Sequence, residues 1–358
     1  MAQALRPPAE ARFAHELSAL AAADPGPRPP GWRLSPRAVR TFVLGDGAEV
    51  SRKFYGDDAL VDRAIVTLMS QRGLLLVGEP GTAKSMLSEL LAAAVSGDST
   101  LTVQGSAGTH EDQIKYGWNY ARLLNEGPSL EALVKGPLYR GLEEGRVVRF
   151  EEITRCAPEV QDTLIGIMSD KVLFVPELDG EAAHCFGQPG FNIIATANLR
   201  DRGVHEMSSA LKRRFNFETV HPIPDRAAEL ELVLRETRAQ LGEARAPAEV
   251  GEDVLRLLVT TFQDLRRGET EDGVVVERPS TVMSTAEAVS VGVSAALDAA
   301  YFGQGRLEPA HLARHLAGAI AQGQAEDHER LDAYFEQVVR RRAEESPLWR
   351  SYWEGREK

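Results

Sequence analysis

Residues 73–95 read GLLLVGEPGTAKSMLSELLAAAV, an apolar run that passes through a glycine-rich turn into a helical pattern opening at Lys84 and Ser85. A strand, loop and helix in that order aim several backbone N–H groups and the positive end of a helix dipole at one point, which suits a phosphate. Lys84 adds a flexible cation able to reach the outer phosphates of a nucleotide, and the Ser85 hydroxyl is a hard oxygen ligand for the magnesium that bridges them. The stretch Gly78, Glu79, Pro80, Gly81, Thr82, Ala83, Lys84, Ser85 and Met86 is therefore the candidate binding segment for ATP and Mg2+. Alanine stands at 83, where such loops usually carry glycine before the lysine. It keeps the N–H and fits a negative φ, so the chemistry survives the departure.

A second candidate pair, Glu151 and Glu152, closes the apolar segment RVVRF at 146–150. Two acids at the carboxyl end of a parallel strand suit nucleotide hydrolysis, one anchoring hydrated magnesium and one polarising the attacking water. Glu151 is expected in the first role, alongside Ser85 as a metal ligand, and Glu152 in the second. Both are expected at the mouth of the sheet beside the strand that feeds the phosphate loop.

These residues need a scaffold, and the chain is long enough to supply one. It has 358 residues, 43% of them apolar, which predicts a large domain and a smaller one. Forty-one basic against 53 acidic residues give a net charge of -12 without a run of Lys and Arg, which disfavours nucleic acid as a partner. Cys156 and Cys185 lie in no metal-binding spacing and read as reduced thiols of a cytoplasmic protein. His110 and His184 are expected at the surface, without a metal role. Neither a leader's apolar core nor a membrane-spanning run of about 18 apolar residues occurs, so membrane insertion is not expected.

Short apolar segments alternate with helical patterns, which predicts an α/β core with a five-stranded parallel sheet flanked by helices. The strands are expected at 73–78, 100–103, 146–150, 191–197 and 215–220. Helices alone follow, at 225–241, 250–267, 279–300, 308–322 and 325–344, with Pro222 and Pro224 marking the boundary. The expected division is a loosely packed extension over 1–40, an α/β core over 41–224, an all-α lid over 225–345 and a tail over 346–358.

With the loop, the acid pair and GPLYRGLEEGRVVRFEEITRCAPEVQDTLIGIMSDKVLFV in place, the chain resembles the MoxR branch of the AAA+ ATPases over roughly residues 50–325. Glu151 departs from the aspartate usual in that branch. The resemblance implies that Asn198, after FNIIATA, orients water as sensor 1, and that Arg214 or its neighbour Arg213 is an arginine finger for an adjacent subunit's site. It implies a sensor 2 helix in ERPSTVMSTAEAVSVGVSAAL, with Arg278 on the γ phosphate. It also implies inserts near 104–120 and 171–186, the first offering Tyr116, Trp118 and Tyr120 to a partner and the second a hairpin with a DG turn in KVLFVPELDG.

The implied activity is ATP hydrolysis in a homo-oligomeric ring, expected to be a hexamer, with ATP held between core and lid and force passed to a client protein. A protein with a von Willebrand factor A domain is one candidate client. Two other readings stay open: the motor subunit of a metal chelatase, and a nucleotide-switched scaffold with little hydrolysis. A nucleic-acid motor ranks last, because Lys115 is the one strong cation of the first insert.

Overall fold

In the computed structural model, which describes residues 6–198, 203–320 and 325–356, the amino-terminal segment is part of the core. Two short helices, α1 (Ala9–Arg12) and α2 (Ala14–Ala23), meet at Phe13. They are followed by α3 (Pro36–Leu44), capped by Ser35, and α4 (Asp58–Leu68), capped by Asp57. Ala9, Leu17, Trp32 and Leu34 are all buried in one apolar cluster with Phe42, Leu74 and Leu91. Polar anchors add to this: Glu10 Oε2 accepts from Ser99 Oγ at 2.7 Å, and the buried Lys53 ammonium pairs with Glu16 while lying 4.7 Å from the Phe13 ring. The expectation of a loosely packed extension over residues 1–40 is thus corrected for its described part. The proline-rich linker breaks the helix without loosening the apolar side chains on either side of it.

The sheet begins with β1 (Gly73–Val77), every residue of which is buried, and the loop after it enters α5 (Lys84–Ser96). Then come β2 (Thr102–Gln104) and an insert made of α6 (Glu111–Ile114), β3 (Tyr116–Trp118), α7 (Tyr120–Glu126) and β4 (Leu133–Lys135). The strands β3 and β4 pair antiparallel, so this insert runs well past the expected limit of residue 120. The chain returns through α8 (Pro137–Glu144) to β5 (Val147–Glu151) and α9 (Pro158–Asp170).

A second hairpin pairs β6 (Val172–Phe174) with β7 (His184–Phe186). Asp179 and Gly180 do not form its turn, as the DG signal suggested. The connection is residues 175–183, and it buries Val175, Leu178 and Ala183, which a two-residue turn would leave in water. The core closes with β8 (Asn192–Ala197), α10 (Ser209–Lys212) and β9 (Phe215–Thr219).

The five strands are parallel in the order β2-β5-β8-β1-β9. All six residues of β8 are buried, as expected for a central parallel strand covered on both faces. Since β8 lies between β1 and β5, the acid-bearing strand is one place removed from the phosphate-loop strand and not beside it.

One compact unit runs to Val220, apart from Pro80–Thr82, which group with a second unit that begins at His221. The second unit is helical: α11 (Arg226–Glu243), α12 (Glu252–Arg267), α13 (Thr285–Tyr301), α14 (Pro309–Ile320), α15 (Ala325–Tyr334), a π-helical turn at Phe335–Val339, α16 (Arg340–Glu345) and α17 (Pro347–Glu354). Residues 321 and 322 of the expected fourth helix lie outside the described residues.

Helix α13 starts six residues later than expected. Ser284 and Glu287 form a reciprocal capping box that outweighs the start signal of Pro279. The expected tail over 346–358 is likewise corrected, because α17 carries Tyr352, fully buried against Phe335 with its hydroxyl 3.3 Å from Thr261 Oγ1. Among the described residues no helix is long and apolar enough to cross a membrane.

Candidate active site

The sheet registers bring the candidates to one edge. Val77 is level with Ala197, and Phe150 with Ala195, so the loop after β1, Asn198 after β8 and Glu151 at the end of β5 emerge side by side at the carboxyl ends of the strands. Ligands of open α/β sheets bind at that edge.

The phosphate loop turns through left-handed backbone at Gly81 (φ 73°) and again at Ala83 (φ 66°, ψ 22°). Ala83 therefore departs from the negative φ expected of it. It occupies a conformation that suits glycine, because a Cβ crowds the following carbonyl there at a cost of about 1–2 kcal/mol. Helix α5 starts at the next residue. The Lys84 ammonium hydrogen-bonds Gly78 O at 2.9 Å and Glu79 O at 2.6 Å, folding the side chain over its own loop. Burial lowers its pKa from the ordinary lysine value, against the opposing pull of Glu152, Glu151 and Glu79.

Glu151 is 4% exposed and its carboxylate is fully engaged. Oε2 accepts from Ser85 Oγ at 2.7 Å and from Thr196 Oγ1 at 2.8 Å. Oε1 accepts from Ser88 Oγ at 2.6 Å and from Arg149 Nη2 at 2.7 Å. Burial by itself would raise the Glu151 pKa, but the Arg149 charge and the three hydroxyl donors hold it below the ordinary carboxylate range. Those partners fit a magnesium site. By accepting the Ser85 hydroxyl's hydrogen bond, a buried and ionised carboxylate leaves the hydroxyl lone pairs free for a hard cation, and magnesium is commonly held by one or two protein oxygens together with substrate phosphates.

Glu152 is turned away from Glu151 by a left-handed backbone (φ 53°, ψ 47°), with its N–H on Thr196 Oγ1 at 2.9 Å. Its half-exposed carboxylate is ion-paired with Arg155. One threonine hydroxyl therefore fixes both acids, accepting from the second and donating to the first. Gly105 completes the frame: its N–H bonds Glu151 O at 2.7 Å, and a Cβ on it would sit 2.3 Å from Glu152 O.

Asn198 is half-buried directly beyond β8. Arg213 and Arg214 separate sharply. Arg214 is half-buried, with Nε 3.0 Å from Ile165 O and 2.6 Å from Ser169 Oγ and Nη1 2.6 Å from Ala210 O, so it ties α9 to α10. Arg213 is exposed at the end of α10. Arg278 lies in the second unit, before α13, and donates to Arg267 O. In the first insert the Tyr116 hydroxyl bonds Glu177 at 3.0 Å and its ring meets Trp118 edge-on, while Tyr120 is 73% exposed. His184 is exposed and stacks against Phe186, and both cysteines are buried free thiols.

Sequence reasoning missed Thr196, Ser88, Arg149 and Gly105. Two of them carried a signal: Arg149 shares a strand face with Glu151 by the two-residue alternation, and Ser88 follows Ser85 by one helical turn. Thr196 and Gly105 meet the acids across strands whose order the sequence did not fix.

A five-stranded parallel sheet in this order, with a phosphate loop after its fourth-ranked strand and two acids two strands away, is the fold of an AAA+ ATPase domain. Residues 73–215 match the AAA domain of the dynein-related subfamily, and residues 227–358 match the YehL-like AAA+ ATPase C-terminal domain. The YehL protein of Escherichia coli (strain K12) is 53% identical over 352 residues, covering 98% of this chain and 96% of that protein. The chain belongs to the YehL-like AAA+ ATPase family. A protein of Staphylococcus haemolyticus (strain JCSC1435) is 28% identical over 160 residues, 44% of this chain and 59% of its own. Among solved structures, NtrX from Brucella abortus in complex with ADP aligns with a TM-score of 0.44 and 13% identity, over 68% of this chain and 50% of that one.

Proposed function

We propose that this protein is a MoxR-like motor that binds ATP with magnesium, hydrolyses it in an oligomeric ring and uses the cycle to remodel a partner protein. The observation that carries the reading is the hydrogen bond from Ser85, in the first turn of α5, to the buried and ionised Glu151. A seryl proton held by a carboxylate at the foot of a phosphate loop is an arrangement that serves a magnesium nucleotide.

In this reading the loop N–H groups and the start of α5 hold the phosphates, and Lys84 exchanges the carbonyls of Gly78 and Glu79 for phosphate oxygens. Ser85, with Glu151 behind it, would hold magnesium, which would offset charge on the phosphates. Glu152 takes the proton of the attacking water, and its left-handed backbone keeps its carboxylate apart from that of Glu151. Asn198 orients the water from the neighbouring strand.

Arg213, exposed at the end of α10, is the residue we assign to an adjacent subunit's phosphates, since Arg214 is engaged within its own core. A hexamer is the assembly that the resemblance to MoxR proteins favours. The client is a protein in this account, reached through exposed apolar side chains on the inserts: Tyr120 and Leu124 on the first, Phe174 and Phe186 on the second. A partner with a von Willebrand factor A domain is the first to test.

The experiment is steady-state ATP hydrolysis with magnesium by the wild type and Lys84→Ala, together with the solution mass of both in ATP. We expect turnover and a ring for the wild type and loss of turnover for Lys84→Ala. Binding and assembly by the wild type without turnover would replace the motor by a nucleotide-switched scaffold.

A further inference from the structure

The Glu in place of Asp at the first acidic position has a partner in Arg149, to which nothing so far gives a role. Residues 149 and 151 point to the same face of β5, and the Arg149 side chain is 12% exposed. Its guanidinium is used on every side. Nη2 donates to Glu151 Oε1 at 2.7 Å and to Ser85 O at 3.1 Å, and Nε to Ser88 Oγ at 3.0 Å. Nη1 donates to Ser99 O at 3.1 Å and reaches Thr102 Oγ1 at 3.4 Å. One planar side chain thus spans the start of α5, the edge strand β2 and the acid.

We infer that Arg149 is a positioning residue for the magnesium-nucleotide site, dividing the two oxygens of Glu151 so that Oε1 is held by Arg149 and Ser88 while Oε2 alone serves Ser85. The inference rests on the reading of Ser85 and Glu151 as the magnesium-supporting pair. It explains the length of the acid. An aspartate carboxylate is no narrower, but it sits nearer its backbone by one methylene, about 1.5 Å, too far back to reach Ser88 and Arg149 with one oxygen and Ser85 and Thr196 with the other. A glutamate reaches them, but a longer side chain has one more torsion to fix, and the rigid fork of an arginine fixes it. The pair also leaves the acid's environment less negative than a lone carboxylate would.

The test is a titration of a fluorescent ATP analogue into the full chain with and without magnesium, read as the ratio of the two affinities. For Arg149→Met that ratio should fall by about tenfold or more, the range for residues that support a metal ligand from behind. Arg149→Lys should recover part of the loss, since a point charge replaces one of the contacts but not the fork. Glu151→Asp should lower the ratio in the wild-type background and cost much less in Arg149→Met, because the two changes break one shared arrangement.

Melting temperatures of all variants are measured alongside. If Arg149→Met proves unstable, the Arg149→Lys pair of cycles is read in its place. A wild-type ratio in both Arg149 variants, or losses that simply add in the double variant, overturns the inference. If instead Ser85→Ala keeps the full wild-type ratio, the reading of the Ser85–Glu151 pair has failed, whatever Arg149 does.

Discussion

Ser85 Oγ and Glu151 Oε2 lie 2.7 Å apart, although the two residues are 66 positions apart in the chain. Burying a carboxylate costs several kcal/mol unless donors compensate it. Here four donors do so, and one of them is the Ser85 hydroxyl in the first turn of α5, the proposed magnesium ligand. In the proposed function, core stability and nucleotide chemistry therefore share one hydrogen-bond network.

Ala83 stands at φ 66°, where a glycine is free of strain. Ala83→Gly should relieve about 1–2 kcal/mol of backbone strain and return part of it as unfolded-state entropy, for a net gain of roughly 0.5–1 kcal/mol. Thermal melting should show an increase of about 2 °C. A lower melting temperature would mean that the loop does not need the left-handed turn.

The two adjacent arginines should fail in different ways. Arg214→Ala removes the side chain that bonds Ile165 O, Ser169 Oγ and Ala210 O, and should cost about 1–3 kcal/mol of stability. Arg213→Ala, on an exposed residue, should leave melting within about 0.5 kcal/mol of the wild type while reducing turnover by roughly a hundredfold or more. On the proposal that Arg213 completes a neighbouring subunit's site, mixing Arg213→Ala with Lys84→Ala subunits should restore some hydrolysis. No recovery on mixing would argue that Arg213 does not act across subunits.

The amino-terminal helices should be needed for folding. Trp32→Ala, at a residue 8% exposed in the α/β core, should cost about 3 kcal/mol, and removing residues 1–35 should cost more. Urea denaturation of the truncated and full chains decides this. Equal midpoints would return the segment to the status of a loose extension.

How much of this was visible in the sequence depended on how local each signal was. All five strands lie within two residues of their expected positions, because each contains a short apolar run; parallel pairing buries the inner strands β1, β5 and β8, while the edge strands β2 and β9 are only partly buried. The acid pair and the phosphate loop were legible because their residues are contiguous. Long-range geometry was not: Thr196 joins both acids only because β8 lies next to β5, and Trp32 is core only because its loop packs into the apolar cluster that also holds Phe42 and Leu91. The polar, proline-rich character of residues 24–36 signalled a linker correctly but said nothing about the helices it joins.

Burial pushes the Cys185 thiol up to about 11, with Glu143 adding to the shift. A raised pKa favours the thiol, so at pH 8 the thiolate fraction should be on the order of one in a thousand, against about one in four for an ordinary cysteine. Alkylation of the folded protein at pH 8 should therefore be negligible at both buried cysteines and become rapid on denaturation. Fast labelling of Cys185 in the folded state would contradict the packing of the second hairpin.

The central claim, that Glu152 drives hydrolysis at a site assembled by Lys84, Ser85 and Glu151, is tested most directly by comparing nucleotide affinity and phosphate release for the wild type and Glu152→Gln. The account predicts that the variant binds ATP with magnesium as well as the wild type does while releasing phosphate about a hundredfold or more slowly, the loss expected when a general base is removed. Phosphate release by Glu152→Gln at the wild-type rate would contradict it and move the base to another residue.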